Sequence, residues 1–147
     1  MSLDSINSKI LKCLQQNARL SNAEIGRRVG ISSPAVSERI KKMEDLGIIE
    51  GYKTIVSPFE IGYQLKAIIT LRAFMGKLKP FLEKVKTYDE VINCYRITGD
   101  ENIVMEVVLK NQKHLEAFID QLISYGESKT QIVLSDVIRY KAVKPDN

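Results

Sequence analysis

Apolar residues recur with helical spacing in three short segments near the start of the chain. The first segment predicts a helix over residues 4–16, with an apolar face made of Leu3, Ile6, Ile10, Leu11 and Leu14. A second short helix is predicted to begin after Ser21, because Ser21 and Glu24 have the spacing of a reciprocal helix cap. This helix is expected to end at Gly30, since glycine readily adopts the left-handed conformation of a helix exit.

A third helix follows almost at once. It is predicted to begin at Ser32 or Ser33 and to end at Gly47. Pro34 suits its first turn, where a missing N–H costs nothing. Its buried face is expected to contain Val36, Ile40 and Met43. Two short helices joined around a glycine, with another helix before them, predict a helix-turn-helix unit.

The next segment, residues 48–63, has a different pattern. β-Branched residues around Gly51 and a stop at Pro58 predict a small extended ribbon, or wing, that leads into a linker. We therefore expect a first domain, a winged helix-turn-helix with its linker, over residues 1–62 and a second domain over residues 63–147.

The rest of the chain alternates between strand-like and helix-like patterns. Strands are predicted at 66–75, 91–99, 102–110 and 130–140, and helices at 78–88 and 112–126. The face of the last helix that is expected to meet the core contains Leu115, Phe118, Ile119, Leu122 and Ile123. The order β-α-β-β-α-β is that of a ferredoxin-like sandwich, so the chain as a whole is predicted to be an α+β protein.

The strand at 102–110 is apolar on both faces. On one face it carries Ile103, Met105, Val107 and Leu109, and on the other Val104 and Val108. A ferredoxin-like sheet has helices on one face only, and an uncovered apolar face usually marks an interface. We therefore expect two copies of the chain to pair through the open faces of their sheets as a homodimer.

The composition is that of an ordinary folded protein, with 147 residues, 44% hydrophobic and 27% charged. The net charge of +4 favours an anionic partner only weakly. Cys13 and Cys94 have no second cysteine or histidine at metal-ligand spacing, so we expect buried thiols and no metal site. Polar breaks near the N-terminus and the lack of an apolar stretch of ~18 residues predict a cytoplasmic protein without a membrane span.

Positive charge is concentrated in the second and third helices. Between residues 27 and 42, five cations face one acid, Glu38. With the apolar face of the third helix buried, its N-terminal end would point outward, as a recognition helix does in the major groove of DNA. The predicted DNA-binding residues are Arg27, Arg28, Ser32, Ser33, Pro34, Ser37, Glu38, Arg39, Lys41 and Lys42.

These residues divide into two predicted roles. The short side chains of Ser33, Ser37 and Glu38 suit base edges, whereas the cations suit phosphates. Serine bonds to many base edges, so little sequence stringency is expected. The alternative is a solvated face with pairs along one helix, such as Lys41 with Asp45.

An enzymatic function is not expected. His114 is predicted on the exposed first turn of a helix, and spacing suggests no nucleophile or carboxylate partner for it. No glycine-rich phosphate-binding loop occurs, and no cofactor is predicted. The six tyrosines are scattered, which disfavours binding of single-stranded RNA by the sheet.

Two runs, RLSNAEIGRRVGISSPAVSERIKKMEDLGIIEGY and ITGDENIVMEVVLKN, closely resemble the Lrp/AsnC (leucine-responsive, or feast/famine) transcription regulators. The similarity covers almost the whole chain. It implies an N-terminal winged helix-turn-helix that binds DNA and a C-terminal ligand-sensing domain of the ferredoxin-like type. It also implies dimers paired through their sheets, assembly into tetramers or octamers, and an amino-acid effector bound between dimers.

The resemblance places the effector near the loop that joins the second and third strands of the sensing domain. The matching residues are Thr98, Gly99, Asp100, Glu101 and Asn102, with Ser128 and Thr130 leading into the last strand. An amino acid needs N–H donors for its carboxylate and an acid for its ammonium, roles that suit Gly99 and either Asp100 or Glu101. Asn102 and Asn7 stand where family members often have aspartate. The alternative is an ordinary polar turn.

We therefore predict an oligomeric DNA-binding transcription regulator, not an enzyme. Its expected partners are double-stranded DNA, copies of itself and an amino-acid-like effector. A first alternative is a small-molecule sensor or carrier whose helical head mediates protein contacts, which leaves the basic cluster unexplained. A second is an enzyme built on the ferredoxin-like half, which lacks an anion-binding loop and a base.

Overall fold

A computed structural model describes residues 3–146, which form two compact units. The first unit contains the chain up to Ile55 together with the segment from Ile138 onward, and the second unit is Val56–Val137. The division into compact units falls a few residues before the domain boundary expected after residue 62, which stays a prediction, and the end of the chain packs with the first unit.

The C-terminal segment joins the first unit because one side chain binds its backbone twice. The side-chain amide of Gln15 donates to the carbonyl oxygen of Val143 at 2.9 Å, and the N–H of Val143 donates to Gln15 Oε1 at 2.8 Å. The segment from Ile138 onward, which was predicted within the second domain over residues 63–147, therefore contacts the first unit. The two partners are 128 positions apart, so no local pattern predicts this contact.

The first unit contains three helices, α1 (Ser5–Gln16), α2 (Asn22–Val29) and α3 (Ser33–Asp45). Each begins at a capping side chain that accepts a backbone N–H three positions on; the capping residues are Asp4, Ser21 and Ser32. The shared core consists of Ile10, Cys13, Leu14, Ile25, Val36 and Met43. The predicted helix-turn-helix is confirmed, including its turn at Gly30.

Residues 50–57, where a wing was predicted, have no regular secondary structure and form no strand ladder with any described residue. The N–H groups of Ile48 and Ile49 both donate to the carbonyl of Met43, at 2.9 and 3.2 Å, so they close the end of α3 rather than start a ribbon. The hydroxyl of Tyr52 donates to a carboxylate oxygen of Glu44 at 2.9 Å and attaches the segment to α3.

The second unit has the predicted order β-α-β-β-α-β. Its elements are β1 (Leu65–Ala73), α4 (Leu78–Lys84), β2 (Val91–Arg96), β3 (Ile103–Leu109), α5 (Gln112–Leu122) and β4 (Gly126–Ile132). The four strands form one antiparallel sheet in the order β2-β3-β1-β4. The ferredoxin-like prediction is therefore confirmed.

The core of the second unit lies between the sheet and its two helices. Its fully buried side chains include Ile69, Leu71, Ile103, Met105, Phe81 and Phe118. The rings of Phe118 and Tyr88 meet edge to face, with centroids 5.4 Å apart. Ile123, which was expected to face this core, is exposed because α5 ends at Leu122.

The last strand begins earlier than predicted. β4 starts at Gly126, opposite Ala73, and ends at Ile132. A Cβ atom at residue 126 would collide with the carbonyl oxygen of Arg72, so only glycine lets the two strands approach here. Ser128, which was expected to lead into the strand, therefore lies inside it.

The face of the sheet away from the helices is less apolar than the sequence suggested. Ile68 and Val104 lie there half-buried, but Lys66 joins them and forms an ion pair with Glu106 at 3.6 Å. Val108 is already covered by its own chain, with only 4% of its surface exposed. The pairing of two sheets through this face stays a prediction.

The two cysteines are free thiols in different units. Cys13 is buried as expected, whereas Cys94 is half-buried, and burial raises the pKa of its thiol. Across residues 3–146, no cluster of three histidine, cysteine or acidic side chains is placed to hold a metal ion. No helix in the same range is long and apolar enough to cross a membrane.

Candidate functional site

The turn between α2 and α3 positions the predicted DNA-binding surface. Gly26 in α2 is buried against the chain that enters α3, where a Cβ atom would lie 2.5 Å from the carbonyl oxygen of Ile31. The N–H groups of Gly30 and Ile31 both donate to the carbonyl of Gly26, at 2.8 and 3.1 Å. Close contact between α2 and this turn therefore fixes where α3 begins.

The structure leaves one face of α3 open to solvent. Val36 and Met43 are buried, and the exposed residues of α3 among those predicted to bind DNA are Ser33, Pro34, Ser37, Glu38, Lys41 and Lys42. Ser32 is exposed too, but its hydroxyl oxygen accepts from the N–H of Ala35 at 3.3 Å and caps the helix. The exposed N-terminal end of α3 therefore presents small hydroxyl side chains and no bulky group.

Arg27 and Arg28 are held by one carboxylate. Arg27 Nε lies 3.0 Å from Glu24 Oε2, which Arg27 Nη2 also contacts, and Arg28 Nε lies 3.2 Å from Glu24 Oε1. Hydrogen bonds from Arg27 and then Arg28 hold the pKa of Glu24 below its usual value. The reciprocal cap predicted for α2 is only half formed, because the Glu24 side chain binds these arginines instead of returning to Ser21.

Arg39 has a different position from the one expected of a phosphate contact. Its Nη1 donates to Asp4 Oδ2 at 2.7 Å and to Asn7 Oδ1 at 3.0 Å, and only 33% of its side chain is exposed. The hydrogen bond from Arg39, followed by the N–H of Asn7, lowers the pKa of Asp4. The guanidinium of Arg39 therefore ties α3 to the start of α1.

Lys41 and Lys42 differ in their partners. Lys41 Nζ lies 3.0 Å from Asp45 Oδ2, the pair along the helix that the sequence suggested. Lys42 has no ion pair within the described part of the chain. Of the five clustered cations, Lys42 is thus the one that keeps its full charge available to a ligand.

The predicted effector loop is an exposed turn between β2 and β3. Asn102 closes it by accepting from the N–H of Ile97 at 3.0 Å, and its side-chain oxygen accepts from the N–H of Ala73 at 3.1 Å. The oxygen of Asn102 is therefore used to bind the loop to β1. An aspartate at this position could accept the same hydrogen bond, so the departure from the family pattern is compatible with the fold.

Glu101 in this loop is paired with a lysine that sequence reasoning missed. Lys129 Nζ lies 2.6 Å from Glu101 Oε1, and this hydrogen bond lowers the pKa of Glu101 and raises that of Lys129. Alternation along β4 could have identified Lys129, but the pairing spans 28 positions. Asp100 keeps an exposed carboxylate at the tip of the loop.

The strand register separates the predicted effector residues. Ser128 and Thr130 lie opposite Leu71 and Ile69, on the face that carries the helices. Lys129 lies on the other face of β4, where it meets Glu101. The structure thus groups the loop with Lys129 and places the two hydroxyl residues on the opposite side of the sheet.

His114 is not the isolated surface residue that was expected. Its Nδ1 accepts from the N–H of Lys110 at 3.0 Å, and its Nε2 lies 3.0 Å from Glu90 Oε1. Burial is the largest single influence on Glu90 and would raise its pKa, but the hydrogen bond from His114, a backbone hydrogen bond and the charges of His114 and Lys110 together lower it. The ring joins the start of α5 to the chain before β2, with no nucleophile bonded to it.

Two stretches of the chain match known protein families. Residues 3–50 match a winged helix-turn-helix DNA-binding family, and residues 66–143 match the Lrp/AsnC ligand binding domain. The HTH-type transcriptional regulator Ptr1 of Methanocaldococcus jannaschii is 35% identical over 136 residues, which cover 90% of this chain and 92% of that protein. The regulator LrpB of Bacillus subtilis is 31% identical over 142 residues, which cover 95% and 94%.

A solved structure agrees with these matches along the whole chain. The transcriptional regulator of Neisseria meningitidis, in complex with L-methionine, is similar with a TM-score of 0.91 and 28% identity. The alignment covers 97% of this chain and 96% of that one. The order of a helix-turn-helix followed by a ligand-binding sheet is therefore shared from end to end.

Proposed function

Because the chain belongs to the Lrp/AsnC family of transcriptional regulators, we propose that it binds duplex DNA as a symmetric oligomer through the open face of α3. The chain is a DNA-binding transcriptional regulator with a C-terminal ligand-binding domain. The proposal adds which residues meet the DNA, how copies assemble and what kind of small molecule they sense.

The observation that carries the proposal is the exposed face of α3, which combines hydroxyl side chains at its N-terminal end with an unpaired cation. Ser33 and Ser37 are short enough to let α3 approach base edges in the major groove. Lys42 is placed for a phosphate, because no acid of the described chain neutralises it. A serine hydroxyl can form hydrogen bonds with the edges of several different bases, so we expect a weak preference for DNA sequence.

We place the contact between copies on the open face of the sheet. Ile68 and Val104 supply its apolar part, and charged side chains such as Lys66 and Glu106 border them. A symmetric dimer built on this face would present two copies of α3 to one duplex. Binding by both copies would raise affinity without any new contact.

The effector site is proposed at the loop between β2 and β3, with an amino acid or a related molecule as ligand. Asp100 offers a free carboxylate for an ammonium group, and Gly99 exposes backbone for a carboxylate. The complex of the Neisseria regulator with L-methionine supports this chemical class. A thermal-shift panel of the twenty amino acids tests it, and a silent panel would leave the loop as an ordinary turn.

A salt titration of binding to duplex DNA tests the main proposal. Affinity should fall steeply with salt, and Lys42→Ala should reduce the slope of log affinity against log salt by about 0.9, the value of one phosphate contact. Lys113→Ala is the matched control, since Lys113 is an exposed cation on α5 in the other unit. Absence of salt-sensitive binding to duplexes of any sequence would reject DNA binding by this chain.

A further inference from the structure

The cations next to the exposed face of α3 are mostly neutralised by the chain itself. Glu24 binds both Arg27 and Arg28, and Asp45 binds Lys41. Glu24 differs from Asp45 because its single carboxylate forms ion pairs with two arginines. Both arginines lie on α2, the helix before α3. The three groups of this cluster, Glu24, Arg27 and Arg28, carry a net charge of +1 rather than +2.

We propose that Glu24 is an internal competitor of DNA, a carboxylate that occupies Arg27 and Arg28 in place of phosphate and thereby limits affinity for any duplex. This inference rests on the proposed function, because it assumes that the surface around α2 and α3 meets the DNA backbone. It names an acidic residue as a determinant of binding that neither motif matching nor charge counting singles out.

While Glu24 holds them, the two arginines offer a phosphate fewer donors than free guanidinium groups would. Arg27 directs both Nε and Nη2, the edge that would grip a phosphate with two hydrogen bonds, at the Oε2 atom of Glu24. Arg28 Nε donates a hydrogen bond to the second oxygen of the same carboxylate. A phosphate must therefore share these donors with Glu24 or displace it.

Displacement is feasible because the cluster faces solvent. The side chains of Arg27 and Arg28 are 70% and 48% exposed, and exposed ion pairs are weak. The pKa of Glu24 is nevertheless lowered, first by Arg27 and then by Arg28, so the carboxylate stays charged at neutral pH. A charged carboxylate beside the DNA backbone repels phosphate even after the arginines have turned away.

Capping of α2 does not require the negative charge. The cap uses the backbone N–H of Glu24, which donates to Ser21 Oγ at 3.1 Å whatever the side chain is. Glutamine is as acceptable as glutamate at this third position of a helix. Glu24→Gln therefore removes the charge while it keeps the cap and nearly the same side-chain shape.

The test compares wild type and Glu24→Gln in binding to a duplex of mixed sequence across a range of salt. Glu24→Gln should bind more tightly at low salt, and its slope of log affinity against log salt should be steeper by about 0.9. Between about 50 and 200 mM salt, its advantage over wild type should therefore shrink about 3.5-fold. Glu116→Gln changes the total charge equally from an exposed site in the other unit and should leave the slope unchanged.

A double variant separates competition from simple repulsion. If Glu24 holds Arg27 away from phosphate, Arg27→Ala should weaken DNA binding more in the Glu24→Gln background than in wild type. Equal effects in both backgrounds, an unchanged slope, or weaker binding by Glu24→Gln at every salt concentration would overturn the inference. If wild type itself shows no salt-sensitive binding, DNA binding by this chain fails and the inference fails with it.

Discussion

Gly26→Ala is the substitution that tests most directly how the fold positions α3. At an unhindered position inside a helix, alanine in place of glycine stabilises by up to about 1 kcal/mol. Here a Cβ atom would lie 2.5 Å from the carbonyl oxygen of Ile31, and ordinary contact begins at 3.4 Å. The atom in the way belongs to the backbone of the turn, so it cannot rotate aside as a side chain would.

The expected sign is therefore the reverse of the helix-propensity effect. The turn must move by about 0.9 Å, and forcing extra atoms into a packed site costs about 1–3 kcal/mol. After a propensity gain of about 1 kcal/mol is subtracted, we expect a net loss of up to about 2 kcal/mol. Because the same turn leads into α3 at Ser32, DNA binding should weaken together with stability.

Urea unfolding followed by circular dichroism measures the effect. With a denaturant slope of about 2 kcal/mol per molar, the midpoint should fall by up to about 1 M. Gly51→Ala is the control, since no atom lies within 4 Å of a Cβ at Gly51, and its stability should stay within about 0.5 kcal/mol of wild type. A midpoint for Gly26→Ala that rises above wild type, with DNA binding intact, would refute the steric reasoning.

Substitutions at two further positions test contacts that the sequence did not predict. Arg39→Ala should lower the urea midpoint at neutral pH, because the folded state loses the ion pair with Asp4. The pKa of Asp4 is lowered below 3.8 in the folded state. The difference in midpoint between wild type and variant should therefore be largest above pH 3.8 and should disappear as the pH falls through the lowered pKa. A difference that persists in acid would show that packing, not the carboxylate, is responsible. Asn102→Ala should lower the free energy of unfolding by about 1–3 kcal/mol, because the N–H of Ala73 loses its acceptor. Asn102→Asp keeps an acceptor at this position, so its free energy of unfolding should stay within about 0.5 kcal/mol of wild type. Equal losses for both Asn102 variants would contradict this assignment.

Features governed by neighbours in sequence were predictable. The three N-terminal helices follow from apolar spacing, and their starts follow from capping residues such as Ser21 and Ser32. The order of strands and helices in the second unit was also predictable, because the spacing of apolar residues differs between strands and helices. The pairing of Glu24 with Arg27 and Arg28 was within reach too, since it joins residues three and four positions apart.

Contacts between distant residues were not predictable. The start of β4 depends on the approach of Gly126 to the carbonyl of Arg72, which is an effect of strand pairing and not of local propensity. The pairing of Arg39 with Asp4 crosses 35 positions and turned an expected phosphate ligand into a link between helices. Lys129 was missed for the same reason, because it lies in β4 and its partner Glu101 lies 28 positions earlier, in the loop before β3.

The double hydrogen bond between Gln15 and Val143 holds the end of the chain against α1, so in sequence the sheet lies between two segments of the first unit. Two covalent tethers, before Val56 and after Val137, connect the units. A fragment that stops near residue 62 would leave Gln15 without its backbone partner. The first unit is therefore complete only when the chain beyond Val137 is present.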